Sequence, residues 1–88
     1  MTVLRFTPHA LMEMARRGLS QTLVERAVSE PDAVLADGPV RFIHQRTESD
    51  ETTGRRWLTR VVVEPEPDGL AIITAYRTSK LAKYGARP

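Results

Sequence analysis

The spacing of apolar residues changes from a helical to an alternating repeat near residue 32. Before that point, two short stretches place apolar side chains three or four residues apart, which is typical of α-helices that bury one face. After it, apolar and polar side chains tend to alternate, which is typical of β-strands. The pattern therefore predicts two helices followed by an antiparallel sheet.

The N-terminal part of the chain carries the start and stop signals of a helical hairpin. A short alternating stretch over residues 2–6 predicts an edge strand. Thr7 can cap the first helix, and Pro8 at the first helical position loses no hydrogen-bond donor. Gly18 is typical of the end of that helix. The second helix is predicted to begin after Ser20, its cap, and to end before Pro31. The residues predicted to face the core are Leu11, Met14, Ala15 and Gly18 in the first helix and Leu23, Val24, Ala27 and Val28 in the second.

The remainder predicts four strands separated by polar turns. The segment 70–77 is almost continuously apolar and is therefore expected inside the sheet. Residues 79–84 are expected to form one helical turn or an ordered tail. The fold class is α+β over a single domain, residues 1–88, with an N-terminal strand and a helical hairpin packed on an antiparallel sheet of three to four strands. The predicted strands are residues 33–36, 40–47, 55–64 and 70–77, with turns at 37–39, 48–54 and 65–69.

Charge is unevenly distributed although the net charge is only +2. Residues 41–88 hold nine basic and six acidic side chains, and every charged residue after Asp68 is basic: Arg77, Lys80, Lys83 and Arg87. Such a C-terminal end suits an anionic partner. Cysteine is absent, which excludes a disulfide framework and a thiolate metal site. Together with the lack of a long apolar segment, this predicts a cytoplasmic protein without metal or cofactor.

A motif near the N-terminus resembles a known family. The run from His9 to Ser20, His-Ala-Leu-Met-Glu-Met-Ala-Arg-Arg-Gly-Leu-Ser, resembles the opening H-A-x-x-R-M-x-x-R-G-I-S of a small bacterial domain family without an assigned function. That family is grouped with RelE/ParE-like toxins. The resemblance continues through the second helix and then over residues 58–63 and 73–80, up to Tyr84. Glu13 departs from it, because the pattern usually has arginine there.

The resemblance implies a RelE/ParE-like fold, and that superfamily contains ribonucleases, gyrase inhibitors and proteins of no known activity. Metal-free RNA cleavage needs a base for the 2′-hydroxyl, cations for the phosphate and an acid for the leaving 5′-oxygen. Arg60 is notable because it lies between Leu58 and Val62 on one strand face, where a structural residue would be apolar. The candidate catalytic residues are His9, Arg17, Arg60, Tyr76, Lys80 and Tyr84, and the candidate RNA-binding residues are Arg46, Arg77 and Lys83.

The leading hypothesis is a toxin-like protein of a toxin–antitoxin type system that acts as a metal-independent endoribonuclease. Its partners would be RNA, free or on the ribosome, and an antitoxin from a neighbouring gene. Two alternatives stay open: a non-catalytic binding module, gyrase-inhibitor-like or regulatory, and an inactive RNA-binding relative. Individual residues also keep a structural interpretation. Arg60 would then lie at the rim of the sheet, and His9 would be a surface residue beside ordinary ion pairs. Trp57 is expected to pack in the core or a hairpin in preference to forming a platform for bases.

Overall fold

Two helices cover one face of a five-stranded sheet in the computed structural model, which describes residues 2–86. The strand order is β1-β5-β4-β3-β2, and every neighbouring pair is antiparallel except β1 with β5. The predicted α+β class and the edge position of the first strand are confirmed. The elements are β1 (Val3–Phe6), α1 (Pro8–Arg17), α2 (Gln21–Ser29), β2 (Ala33–Asp37), β3 (Arg41–Ser49), β4 (Arg56–Glu66), β5 (Gly69–Thr78) and a short 3-10 helix (Leu81–Tyr84).

The predicted helix boundaries form through local hydrogen bonds. Thr7 Oγ1 accepts from the backbone N–H of Ala10 at 3.1 Å and so caps α1. Ser20 Oγ does the same for α2 through the N–H of Leu23. Gly18 adopts a left-handed conformation, φ 68°, which a residue with a side chain rarely adopts, and thereby ends α1. The hairpin is therefore determined largely by its own sequence.

The apolar core lies between the helices and the sheet, but α1 is rotated relative to the prediction. Leu11 is 42% exposed and Ala15 and Gly18 are also exposed, so their prediction as core positions was wrong. Apolar residues spaced three or four positions apart on α1 fit two neighbouring faces of the helix, one that contains Leu11 and one that contains Ala10 and Met14. Thr7 selects between them, because its N–H and its hydroxyl both donate to the Ile72 carbonyl. The residues that α1 and α2 bury in the core are Ala10, Met14, Val24, Ala27 and Val28, packed against Val61, Val63, Ile72 and Ala75.

This rotation makes a testable difference between two apolar residues of α1. Met14 is 2% exposed, so Met14→Ala is expected to lower the free energy of unfolding by about 2–5 kcal/mol. Leu11→Ala, at the exposed position, is expected to change it by less than about 0.5 kcal/mol. Urea denaturation of both variants measures the difference. Equal losses would contradict the observed orientation of α1.

A β-bulge changes which side chains of β5 face the helices. Val62 pairs with Thr74, but the next residue, Val63, pairs with Ile72, so Ile73 is the extra residue. Ile72 and Ala75 consequently both belong to the core, although strict alternation would place them on opposite faces. The residue after Ala75, Tyr76, is thereby directed to the face of the sheet away from the helices, here called the open face.

The strands extend beyond the predicted ends and shorten the predicted turns. β3 continues to Ser49, and β4 continues through Pro65 to Glu66. Proline is tolerated there because β3 pairs with β4 only as far as Val63. Gly69 begins β5 beside β1, where a side-chain Cβ would collide with the Val3 backbone. No helix within residues 2–86 is long and apolar enough to cross a membrane.

Candidate functional site

Three polar side chains form a row across the open face. Gln45, Arg60 and Tyr76 lie on β3, β4 and β5 and are direct partners in the strand register. Arg60 Nε donates to Gln45 Oε1 at 3.1 Å, and Arg60 Nη1 donates to Tyr76 Oη at 2.6 Å. Arg60 is only 8% exposed. It therefore lies within the sheet and is held by neutral partners, and is not a residue of the rim.

The C-terminal segment covers this row. The Cζ atom of Arg60 lies 4.1 Å from the centre of the Tyr84 ring, and Gln45 Nε2 donates to the Tyr84 carbonyl at 3.4 Å. The rings of Tyr76 and Tyr84 meet edge to face, 6.4 Å apart. Leu81 is buried and belongs to the 3-10 helix. Tyr84, which follows the last strand in sequence, thus adds a second aromatic ring, after Tyr76, beside the guanidinium of Arg60.

Arg17 reaches the row from the end of α1. β1 pairs with β5 only as far as Ile72, which leaves the β5 edge uncovered beyond that residue. Arg17 Nη1 donates to the Ala75 carbonyl at 2.9 Å, and its Cζ lies 5.9 Å from the Tyr76 ring centre. Glu13, which is 8% exposed, holds Arg17 Nη2 at 3.2 Å. The residue that departs from the family motif therefore positions a cation. The five side chains Arg17, Gln45, Arg60, Tyr76 and Tyr84 are called the arginine–tyrosine cluster below.

Basic side chains divide sharply into two groups along the chain. All six within residues 2–54 lie within 4.0 Å of a carboxylate, whereas none of the six within residues 55–86 has such a partner among the described residues. The paired group is Arg5, Arg16, Arg17, Arg26, Arg41 and Arg46, and the unpaired group is Arg55, Arg56, Arg60, Arg77, Lys80 and Lys83. Arg87 lies outside the described residues. Positive charge that is not neutralised internally is therefore concentrated at the end of the sheet where β4 begins and β5 ends.

An ion pair at the opposite end of the sheet shifts the pKa values of both its members. Arg5 Nε donates to Glu66 Oε1 at 3.0 Å, and Glu66 is the last residue of β4. The Arg5 guanidinium holds the pKa of the Glu66 carboxyl below its usual range, and the carboxylate raises the pKa of Arg5. This ion pair joins β1 to the far end of β4 and takes no part in the cationic region.

Four of the unpaired cations surround an open groove of about 570 Å³. Arg56 is the first residue of β4 and Arg55 precedes it, and Lys80 and Lys83 contribute from the segment after β5. None of the seven residues that line the groove carries a carboxylate. It is called the basic groove below. A polyanion is the ligand class that this charge and this open shape suit. The seven residues are Arg55, Arg56, Ser79, Lys80, Leu81, Ala82 and Lys83.

Trp57 lies between two of the unpaired arginines. The Cζ atoms of Arg55 and Arg77 are each 4.7 Å from the centre of the indole ring, and Arg55 Nη2 also donates to Ser79 Oγ at 3.0 Å. These three side chains are called the arginine–tryptophan stack. The sequence interpretation of Trp57, packing in preference to a base platform, did not include the two arginines at its ring. The signal for this arrangement was the spacing of two between Arg55 and Trp57, which places them on one face of an extended segment.

The structure brings together only part of the predicted site. Arg17, Arg60, Tyr76 and Tyr84 form the cluster, and Lys80 and Lys83 line the adjoining groove. His9 is exposed near the start of α1, about 12 Å along the helix axis from Arg17. Arg46 and Arg77 lie on the helix-covered face, because they pair with Thr59, which precedes the open-face residue Arg60 on β4. Arg46 is also occupied by Glu48 and by the Glu30 carbonyl.

Metal-binding side chains do not converge in residues 2–86. No group of three or more histidine or acidic residues is close enough to hold an ion there. His44 Nδ1 instead lies 3.0 Å from the Val28 carbonyl, under α2. The chemistry that these residues can supply is that of guanidinium, ammonium and phenol groups.

Comparison with family models matches residues 6–77, most of the chain, to a family described as a domain of unknown function, DUF4258. The matched segment runs from the last residue of β1 into β5 and so includes Arg17, Arg60 and Tyr76. No curated protein and no solved structure matches the chain.

Proposed function

The chain belongs to DUF4258, a family without an assigned function, and we propose that this member is a toxin-like protein of the RelE/ParE type that cleaves RNA without a metal ion. One observation carries the proposal. Arg60 is buried without a carboxylate partner within residues 2–86, beside a groove of further unpaired cations. The motif from His9 to Ser20 resembles a family grouped with RelE/ParE-like toxins, some of which are ribonucleases, and this resemblance is the ground for choosing RNA cleavage as the reaction.

A buried cation without a counter-ion is costly unless a ligand supplies the charge. Removing a guanidinium from water carries a large desolvation penalty, which a carboxylate normally offsets. Gln45 and Tyr76 orient Arg60 but contribute no negative charge. A phosphodiester would complete the site, because a guanidinium matches the geometry of two phosphate oxygens. RNA is the polyanion that also explains the two tyrosine rings beside it, since unpaired bases stack on aromatic side chains.

The cluster contains the groups that a transesterification needs. In the proposed step, the 2′-oxygen loses its proton to a base and bonds to phosphorus, while the bond from phosphorus to the 5′-oxygen breaks and an acid protonates that oxygen. The products are a 2′,3′-cyclic phosphate and a 5′-hydroxyl. We assign charge stabilisation to Arg60 with Arg17. Tyr84, as its phenolate, would accept the 2′-hydroxyl proton, and Tyr76 would donate a proton to the 5′-oxygen. Tyr76 Oη already accepts a hydrogen bond from Arg60, so its own proton is available to the leaving oxygen.

The same charge distribution defines the proposed protein partner. An antitoxin segment rich in acidic side chains would neutralise the basic groove and exclude RNA from it. The ribosome would be the other context in which RNA reaches this surface. Lys80 and Lys83 are both exposed and would contact either RNA or such a segment.

A non-catalytic function is the second candidate, and the position of His9 favours it. The histidine that the sequence offered as base or acid lies outside the cluster, at the other end of α1 from Arg17. If the tyrosines do not transfer protons, the same surface would bind nucleic acid or an acidic protein segment without cleavage. A gyrase-inhibitor-like or regulatory protein would need the cations and not the phenols.

A cleavage assay separates the two candidates. Purified protein is incubated with a labelled single-stranded RNA, with and without ribosomes, in buffer that contains EDTA. We expect shortened RNA that ends in a 2′,3′-cyclic phosphate, with the same rate in the presence and absence of EDTA. Binding of RNA without any cleavage in either setting would overturn the ribonuclease proposal in favour of the binding module.

A further inference from the structure

We propose that the arginine–tryptophan stack is a second RNA-binding site, which holds nucleotides that flank the one at Arg60. The inference rests on the proposed function and extends it, because it makes the substrate a single-stranded segment of several nucleotides. The stack lies on the face of the sheet that the helices cover, whereas Arg60 lies on the open face. The two sites would therefore be reached by one strand that passes around the end of the sheet.

The stack leaves the hydrogen-bonding groups of its arginines free for a ligand. A guanidinium over an aromatic ring uses its flat face, so its N–H groups remain directed outward in its plane. Arg55 and Arg77 are both exposed, and neither has a carboxylate partner within residues 2–86. Arg77 makes no hydrogen bond to another described side chain, and Arg55 makes one, to Ser79. The ring thus fixes two cations in place without neutralising them.

Arg55 connects this stack to the basic groove. It contacts Trp57 on one side and lines the groove beside Arg56, Lys80 and Lys83 on the other. Trp57 and Arg60 are three residues apart on β4, which corresponds to about 10 Å along the strand. An RNA strand that contacts both sites would need about four or more nucleotides, the lower end of known single-strand site sizes. A dinucleotide would occupy the cluster alone.

The surroundings of Trp57 differ from those of a packing residue. The ring is only half-buried, and a small depression beside it is lined by two carboxylates, Glu48 and Asp50. Because carboxylates repel phosphate, the RNA would reach the ring from the side of Arg55 and the basic groove and not through this depression. A purely structural tryptophan would be expected beneath apolar side chains. A stacking or phosphate-contacting role explains why arginines approach the ring within 4.7 Å. An RNA-binding role predicts that only an RNA long enough to reach Trp57 is affected by changes at the stack, whereas a structural role predicts no dependence on RNA length.

Trp57 is the only tryptophan in the chain, so its fluorescence reports on this site directly. We expect a single-stranded RNA of about ten nucleotides to change the emission of Trp57 and a dinucleotide to leave it unchanged. Arg77→Ala is expected to weaken binding of the longer RNA by about 5–10-fold and binding of the dinucleotide by less than about twofold. Arg41→Ala is the matched control, because Arg41 is also an exposed strand arginine but is paired with Glu64 and does not contact Trp57.

The outcomes distinguish this inference from the function on which it rests. If the longer RNA binds and is cleaved, but Trp57 emission does not change and Arg77→Ala has no effect, the second site is wrong and the ribonuclease proposal stands. If neither RNA binds the wild-type protein and no RNA is cleaved with or without ribosomes, both fail. Arg77→Lys retains the charge and serves as the second variant should Arg77→Ala unfold in a urea titration. A loss of stability without any dependence on RNA length would assign the stack a structural role and overturn the inference.

Discussion

Arg60→Ala is expected to lower the rate of RNA cleavage by about 10²–10³-fold, with a much smaller change in RNA affinity. The phosphorane formed during cleavage carries more negative charge than the diester, so a guanidinium stabilises the transition state more than the bound substrate. The magnitude follows from the loss of one preorganised donor in a site of this kind. Single-turnover cleavage rates and equilibrium RNA binding, measured on the same preparation, separate the two effects.

Two further variants test whether charge or geometry is needed at Arg60. Arg60→Lys keeps a positive charge but loses the two-pronged contact to phosphate oxygens, so an intermediate rate is expected. Arg41→Ala removes an arginine from β3 that is exposed and already paired with Glu64, and its rate should equal that of the wild type. Because Arg60 is buried and bonded to Gln45, urea titrations must accompany the rates. A folded Arg60→Ala protein with full activity would contradict the assignment.

Removing the phenol oxygens is expected to have an effect at least as large. Tyr84→Phe and Tyr76→Phe should each slow cleavage by about 10²–10⁴-fold, the range for loss of a general acid or base. Phenylalanine retains the ring over Arg60 and the edge-to-face contact between residues 76 and 84. Tyr76→Phe also removes the hydrogen bond that Arg60 donates to the phenol, so Tyr84→Phe is the cleaner test of proton transfer. Rates measured over a range of pH would show one limb of the profile change in each variant. His9→Ala, at the exposed residue outside the cluster, is the control and should retain the wild-type rate.

The tyrosine variants also test the target of the protein in cells. If expression arrests growth and the arrest persists in Tyr84→Phe and Arg60→Ala proteins that cut no RNA, catalysis is not its cause. A protein target of the gyrase type would then explain the arrest. If the arrest disappears together with cleavage, the two share one site. A protein that does not arrest growth at all would point to the regulatory binding module.

Local chemistry explains why much of the element order could be predicted. Thr7 and Ser20 cap helices through atoms three residues away, and Pro31 ends a helix because its nitrogen carries no hydrogen. Alternation identified the strands for the same reason, since it depends on neighbouring residues alone. The resemblance of the N-terminal motif agrees with the family match over residues 6–77. Helix caps, helix ends and strand alternation each depend on only a few consecutive residues, so they can be predicted from the sequence.

Arrangements that depend on distant residues were decided by the tertiary structure. Whether Leu11 or Ala10 faces the core depends on the bonds from Thr7 to Ile72, across more than sixty residues. The bulge at Ile73 reverses the alternation of β5 and directs Tyr76 toward Arg60. The spacing of apolar residues in β5 does not predict this change of register, because the bulge arises from the pairing of β5 with β4.

The sequence by itself determined which cations the protein has, and the fold determined which of them remain available to a ligand. Arg46 and Arg60 look alike as strand arginines of a basic region. Arg46 is neutralised by Glu48, two residues further along the same strand, whereas sheet register buries Arg60 among neutral partners on the other face. The stack around Trp57 likewise joins the start of β4 to the end of β5, which only the paired strands bring together. Some arginines are neutralised by a neighbour only two to four residues away, but the burial of Arg60 and the contact of Trp57 with Arg77 depend on side chains far apart in sequence. Only the folded chain brings those side chains within a few ångströms of each other.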